Sequence, residues 1–136
     1  MTGVPAKVGI LDTSVLIATE DGRPLRSEAL PESAAISIVT VSELRAGVLA
    51  APDIQSRDRR LATLERISKA AVFPVDQRVA TAWAGIRAYL AASGERVSAN
   101  DLWIASTAAA NRMPVFTQDR DFHALSGVNG LTVVEV

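Results

Sequence analysis

A single α/β domain, with a central parallel sheet of about five short strands and helices on both faces, is the architecture this sequence predicts. Three observations carry the expectation. Short apolar runs without polar alternation recur along the chain, as strands buried on both faces require. Stretches of helical period lie between them, the alternation that produces parallel crossover units. The length of 136 residues and the apolar content of 49% suit one core, so residues 1–136 read as one domain.

Val8-Gly9-Ile10-Leu11 is the first strand, ending at Asp12. The segment from Glu20 to Ser33, with Gly22, Pro24 and Pro31, reads as a polar excursion or lid. Ala35-Ile36-Ser37-Ile38-Val39 is the second strand, ending at Thr40, with a helix expected from Val41 to about Ala50. A further helix is predicted from Asp53 to Ser68, turning Leu61, Leu64 and Ile67 inward. Ala71-Val72-Phe73 is the third strand. Val79, Trp83, Ile86 and Leu90 then share one helical face, with Asp76 as N-cap and Gly94 as stop. An Ala-rich helix follows from Ser98 through Ala110. Val115-Phe116 and Leu131 to Val134 complete the sheet.

Composition excludes several classes of chemistry. There is no cysteine, so disulfides, zinc–thiolate sites and a catalytic thiol are ruled out. Met1 to Lys7 lacks the layout of a secretory signal and no run is long enough to span a bilayer, which predicts a soluble, cytoplasmic protein without a membrane partner. The net charge of -1 provides no overall basic field, so any nucleic acid must meet a local patch. The stretch Arg45 to Lys69 is net positive and is one candidate, although exposed helices are often merely solvated by such charge.

Four carboxylates fall at strand-to-helix junctions. Asp12 closes strand one, Asp119 follows strand four, Glu43 is placed in the first turn after strand two, and Asp101 in the first turn after Ser98. Each has an ordinary structural reading beside the chemical one. Thr40-x-x-Glu43 and Ser98-x-x-Asp101 both match a capping box, and Asp after a strand is commonly a turn or cap residue. Convergence favours chemistry, because a doubly wound fold brings these junctions to one edge of the sheet. Clustered carboxylates repel one another unless a cation lies between them, and an oxygen-only cluster suits Mg²⁺, with Mn²⁺ as substitute. Such ions activate water and stabilise charge on a phosphate.

Asp12-Thr13-Ser14, Thr40-x-x-Glu43-Leu44-x-x-Gly47, Asn100-Asp101-x-x-Ile104-Ala105 and Thr117-x-Asp119-x-Asp121-Phe122 together resemble the PIN-domain ribonucleases, most closely the VapC toxins of toxin–antitoxin pairs. The resemblance covers essentially the whole chain, in order. It implies a PIN-like fold and an Mg²⁺-dependent endoribonuclease that cleaves RNA by metal-activated water, leaving a 5′-phosphate and a 3′-hydroxyl. It also implies Asp12, Glu43, Asp101 and Asp119 as catalytic metal ligands, with Asp121 as a further ligand. Thr13, Ser14 and Thr117 are implied near ligand water or a substrate phosphate, with turn hydroxyls as the alternative. A VapB-type antitoxin and a homodimer are the partners it implies, with Val15, Leu16, Ile17, Leu44, Val48 and Leu49 as an apolar groove for the antitoxin's tail or as ordinary core.

Other readings stay open beside this one. A PIN nuclease of RNA processing unrelated to toxin–antitoxin pairs would share every motif. A non-catalytic RNA-binding or scaffold module is expected to have lost an acid, and none is missing. A haloacid-dehalogenase-type phosphatase needs Asp-x-Asp, but position 14 is Ser. His123 reads as a surface histidine rather than a general base, and Trp83, Tyr89 and Trp103 as core or subunit-interface aromatics rather than RNA platforms.

Overall fold

The computed structural model describes residues 7–136; the reading of the N-terminus as lacking a signal rests on Met1 to Lys7, of which Met1–Ala6 lie outside the described residues. Five strands form one parallel sheet: β1 (Val8–Leu11), β2 (Ser33–Ser37), β3 (Ala71–Phe73), β4 (Val115–Thr117) and β5 (Val133–Glu135). Their order is β3-β2-β1-β4-β5. The chain winds outward from β1 in one direction through β2 and β3, then resumes on the other side at β4. The winding therefore reverses between β1 and β4, where a crevice opens beyond the carboxyl ends of the strands.

Helices α1 (Thr13–Glu20), α2 (Ile38–Leu49), α3 (Ile54–Ile67), α4 (Gln77–Ser93) and α5 (Ala99–Ala110) cover both faces. On one face Ile10, Ala35 and Val115 pack with Ile86 and Leu90 of α4 and with Leu102, Ala105 and Ala108 of α5. On the other, Ile36 packs with Leu44 and Ile67, while Phe116 packs with Val15 and Val136. Gly9 is required by this packing, because a Cβ there would overlap the Phe116 ring. Among the described residues no helix is long and apolar enough to cross a membrane.

Four local expectations change. Thr13 to Glu20 forms a helix that the apolar Val15-Leu16-Ile17 run, too short to show a period, did not reveal. Strand two ends at Ser37, whose hydroxyl accepts from the Val39 amide and caps α2, so Ile38 and Val39 belong to the helix. Thr40 is consequently inside α2, and Glu43 is in its second turn rather than its first. Leu61 turns outward, because Thr63 takes the buried position and donates to Glu20 Oε1 at 2.8 Å. The Glu20 to Ser33 excursion is pinned rather than lid-like: Leu25, Ala29 and Leu30 pack against the Val15–Phe116 cluster.

Candidate active site

Asp12 follows the last residue of β1 and stands at the winding reversal, 2% exposed. Its Oδ2 accepts from Ser14 Oγ at 2.6 Å and from Thr117 Oγ1 at 2.8 Å, the latter across the crevice from the end of β4. Ser14 and Thr117 also approach each other at 3.3 Å. The backbone of the β4 loop closes the network, with Gln118 N donating to Ser14 Oγ and Asp119 N to Thr117 Oγ1. Burial pushes the Asp12 carboxyl above its ordinary pKa, and these hydroxyls and the Thr13 and Ser14 backbone oppose that shift.

Glu43 reaches the same edge from α2. Thr13 Oγ1 donates to Glu43 Oε1 at 2.7 Å and lies 3.0 Å from Thr40 Oγ1. Thr40 and Glu43 are three residues apart on one helix and so share a face. The spacing that suggested a capping box is in fact a side-by-side placement on the α2 surface, with Thr40 fully buried. Thr40 is the residue that sequence reasoning missed. Its signal was present in Thr40-x-x-Glu43, but the position of the helix start decides between cap and neighbour.

Asp101 lies in the first turn of α5. Ser98 caps that helix, its Oγ accepting from Asp101 N at 3.2 Å, so the capping half of the sequence reading is realised at this end. The carboxyl nevertheless belongs to the acidic edge. Its pKa is pushed up to about 6, first by burial and then by the charge of Asp12, with Asp119 and Glu43 adding to it and the Ser98 hydroxyl opposing. Asp119 is half-buried and its Oδ1 accepts from Asp121 N at 2.9 Å. Asp121 itself is exposed and is not among the charges that raise Asp101.

The four junction acids therefore share one electrostatic neighbourhood. Among the described residues, no three of them converge tightly enough to grip an ion with their side chains as they now stand. Their mutual repulsion, felt at Asp101, is nonetheless the property that a cation between them relieves. The donors are all oxygen, which fits a hard divalent ion. His123 lies elsewhere, its Nε2 3.0 Å from Glu135 Oε2 on β5. A cavity beside Glu43 is bounded by Thr13, Ile17, Glu20, Leu44, Gly47 and Arg60, and Arg60 is fixed there by donating to the Gly47 carbonyl at 2.6 Å.

Comparison with known proteins places this geometry in context. The family model described as PIN domain matches residues 9–128. Ribonuclease VapC5 of Mycobacterium tuberculosis is 49% identical over 136 residues, covering all of both chains. Ribonuclease VapC4 of the same organism is 36% identical, covering 91% of this chain and 95% of its own. Among solved structures, VapBC-5 of M. tuberculosis, a member of the VapBC family of toxin–antitoxin systems, superimposes with a TM-score of 0.90 at 46% identity, covering 96% of this chain and 99% of that one. A DNA-bound VapBC from Salmonella typhimurium gives 0.77 at 29% identity, covering 96% and 98%.

Proposed function

Because the chain belongs to the PIN-domain family, and within it to the VapC-type ribonuclease toxins, we propose that its acidic crevice is an Mg²⁺-dependent endoribonuclease centre restrained by a VapB-type antitoxin. The carrying observation is that hydrogen bonds at the winding reversal join Asp12 to Ser14 and Thr117, Thr117 to the Asp119 backbone and Thr13 to Glu43, with the Asp101 carboxyl held among their charges. A divalent ion bound among these acids supplies an activated water and offsets charge developing on the scissile phosphate.

This chain's own residues do the positioning. Asp12, Glu43, Asp101 and Asp119 are the proposed catalytic ligands, with Asp119 as the inner acid of its loop and Asp121 in an outer, exposed place. Thr117 and Ser14 fix the Asp12 carboxyl by hydrogen bonds to its Oδ2, so that it would be held in place to ligate the ion. Thr13 fixes Glu43 in the same way from a buried position. These hydroxyls are already engaged with carboxylates, so their route to RNA runs through ligand water at the site they orient. Burial of Asp12 in a low-dielectric floor strengthens every charge interaction above it.

The partner reading has its own support. Leu44 and Val48 of the predicted groove are buried, but Ile17 is 38% exposed and lines the cavity next to Glu43 together with one edge of Leu44, and Leu49 is exposed further along α2. An antitoxin tail seated there would sit against the acids. A homodimer working in the cytoplasm completes the proposal.

Cleavage of single-stranded or structured RNA by purified protein in Mg²⁺ or Mn²⁺, with EDTA as control, tests the reading directly. Internal cuts leaving 5′-phosphate and 3′-hydroxyl ends are expected, and 2′,3′-cyclic phosphate ends or full activity in EDTA would overturn it. Asp101→Asn should abolish cutting, whereas Asp58→Asn, at an exposed position of α3, should leave it intact.

A further inference from the structure

The two tryptophans of the chain are Trp83 and Trp103. The fold brings them together, with ring centroids 5.1 Å apart and planes 19° from parallel. They line a cavity of about 590 Å³ at the junction of α4 and α5, a size suited to a small organic ligand. Arg87 and Arg96 stand at its rim with Glu95, and among the described residues neither arginine has a carboxylate within ion-pair distance. The Trp83 indole N–H is buried and has no acceptor among the described residues.

The cavity and the acidic edge share helix α5. Ala99, Leu102 and Trp103 form one wall, and Asp101, two positions from both Ala99 and Trp103, projects from the opposite face of the helix. A helix is about 10–12 Å across, so a single strand held at the cavity passes around the N-terminal end of α5 to enter the crevice. Stacked aromatics beside unpaired guanidinium groups constitute the chemistry that holds single-stranded nucleic acid: rings take a base on a π-face and arginines take the adjacent phosphate.

We infer that the Trp83–Trp103 cleft, with Arg87 and Arg96, is a binding subsite for an unpaired nucleotide of the RNA substrate, separated from the scissile phosphate by the width of α5. The inference rests on the ribonuclease reading and adds to it a second point of substrate attachment outside the acids. It also answers how a chain of net charge -1 holds a polyanion: the basic groups need only be local. A second copy of this chain is the competing occupant, and the unpaired arginines favour the nucleotide, since an isologous contact would desolvate cations that this face itself can match only with Glu95.

Because both tryptophans of the chain lie in the cleft, their emission reports on it alone. The probe is a single-stranded 2′-O-methyl oligoribonucleotide of about six nucleotides, which lacks the free 2′-hydroxyl and is titrated in EDTA. Quenching of tryptophan emission is expected with the same Kd as anisotropy of the labelled probe. R87A/R96A should weaken binding about tenfold and lower the salt slope by about 1.4, while R112A should change neither. On cleavable RNA in Mg²⁺ the double variant should raise KM in proportion, with kcat changed less than about twofold.

Probe binding by anisotropy without any change in tryptophan emission, together with an unaltered KM in R87A/R96A, overturns the subsite while leaving the ribonuclease intact. Emission that follows protein dilution but ignores the probe assigns the cleft to subunit contact and likewise overturns it. Absence of any Mg²⁺-dependent cleavage by the unaltered protein is the separate failure of the ribonuclease reading.

Discussion

Asp101 is capped by one neighbour and repelled by three others, and its protonation records the balance. A carboxyl whose folded pKa is raised binds its proton more tightly in the folded state. The stability this contributes is present in full below the unfolded value near 3.8 and is lost as pH rises through about 6. In EDTA, the melting temperature of D101N relative to the unaltered protein should therefore climb between pH 4 and 7. Parallel melting curves of the two proteins against pH would show that Asp101 stands apart from the other acids. Asp12, Asp101 and Asp119 were legible as acids at element junctions, and Glu43 through its Thr40-x-x-Glu43 spacing although it lies in the second turn of α2. Their hydroxyl partners were not paired by the sequence, since Thr117 and Asp12 are 105 positions apart and Thr13 and Glu43 are 30 apart.

Helix starts decide which acids are structural and which are free for chemistry. At α5 the Ser98 cap was legible, because Ser-x-x-Asp preceded an apolar run and the side chain bonds as expected. At α2 the same kind of pattern misled by three residues, since β-branched Ile38 and Val39 suit a strand as well as a first helical turn. The two sites predict different mutational signatures. S98A should lose about 1 kcal/mol of stability, a fall of roughly 4 °C in Tm, through loss of the cap. T40V keeps the buried shape but removes the hydroxyl beside Thr13, so kcat should fall about tenfold while Tm changes little. A T40V protein that melts several degrees lower with its kcat unchanged would make Thr40 a packing residue only. The helix α1 escaped the sequence reading for a simpler reason: eight residues give barely two turns, and its Val15, Leu16 and Ile17 occupy three sides of it.

At the scale of the molecule, alternation of apolar runs with helical stretches was sufficient to predict a parallel sheet covered on both faces. It could not give the strand order, because β1 pairs with β4 through contacts more than a hundred residues apart, such as Ile10 with Val115. That pairing is what makes the site, since it places Asp12 and the Thr117-to-Asp119 segment on either side of the winding reversal. A site assembled there from acids on separate elements should be strained without its cation and should couple cation binding to global stability. D12N removes one buried charge while an amide oxygen remains to accept from Ser14 and Thr117, so its network can persist. In EDTA it should melt at or above the unaltered protein while lacking nuclease activity, a gain of stability at the expense of function. Mg²⁺ should raise the midpoint of the unaltered protein, because a ligand bound only by the folded state contributes roughly 2.7 kcal/mol at a hundredfold excess over Kd. The same addition at matched ionic strength should do much less for D12N, which has lost a charged ligand. If D12N is clearly destabilised in EDTA and both proteins answer Mg²⁺ alike, Asp12 serves the turn between β1 and α1, and the ion is held without it.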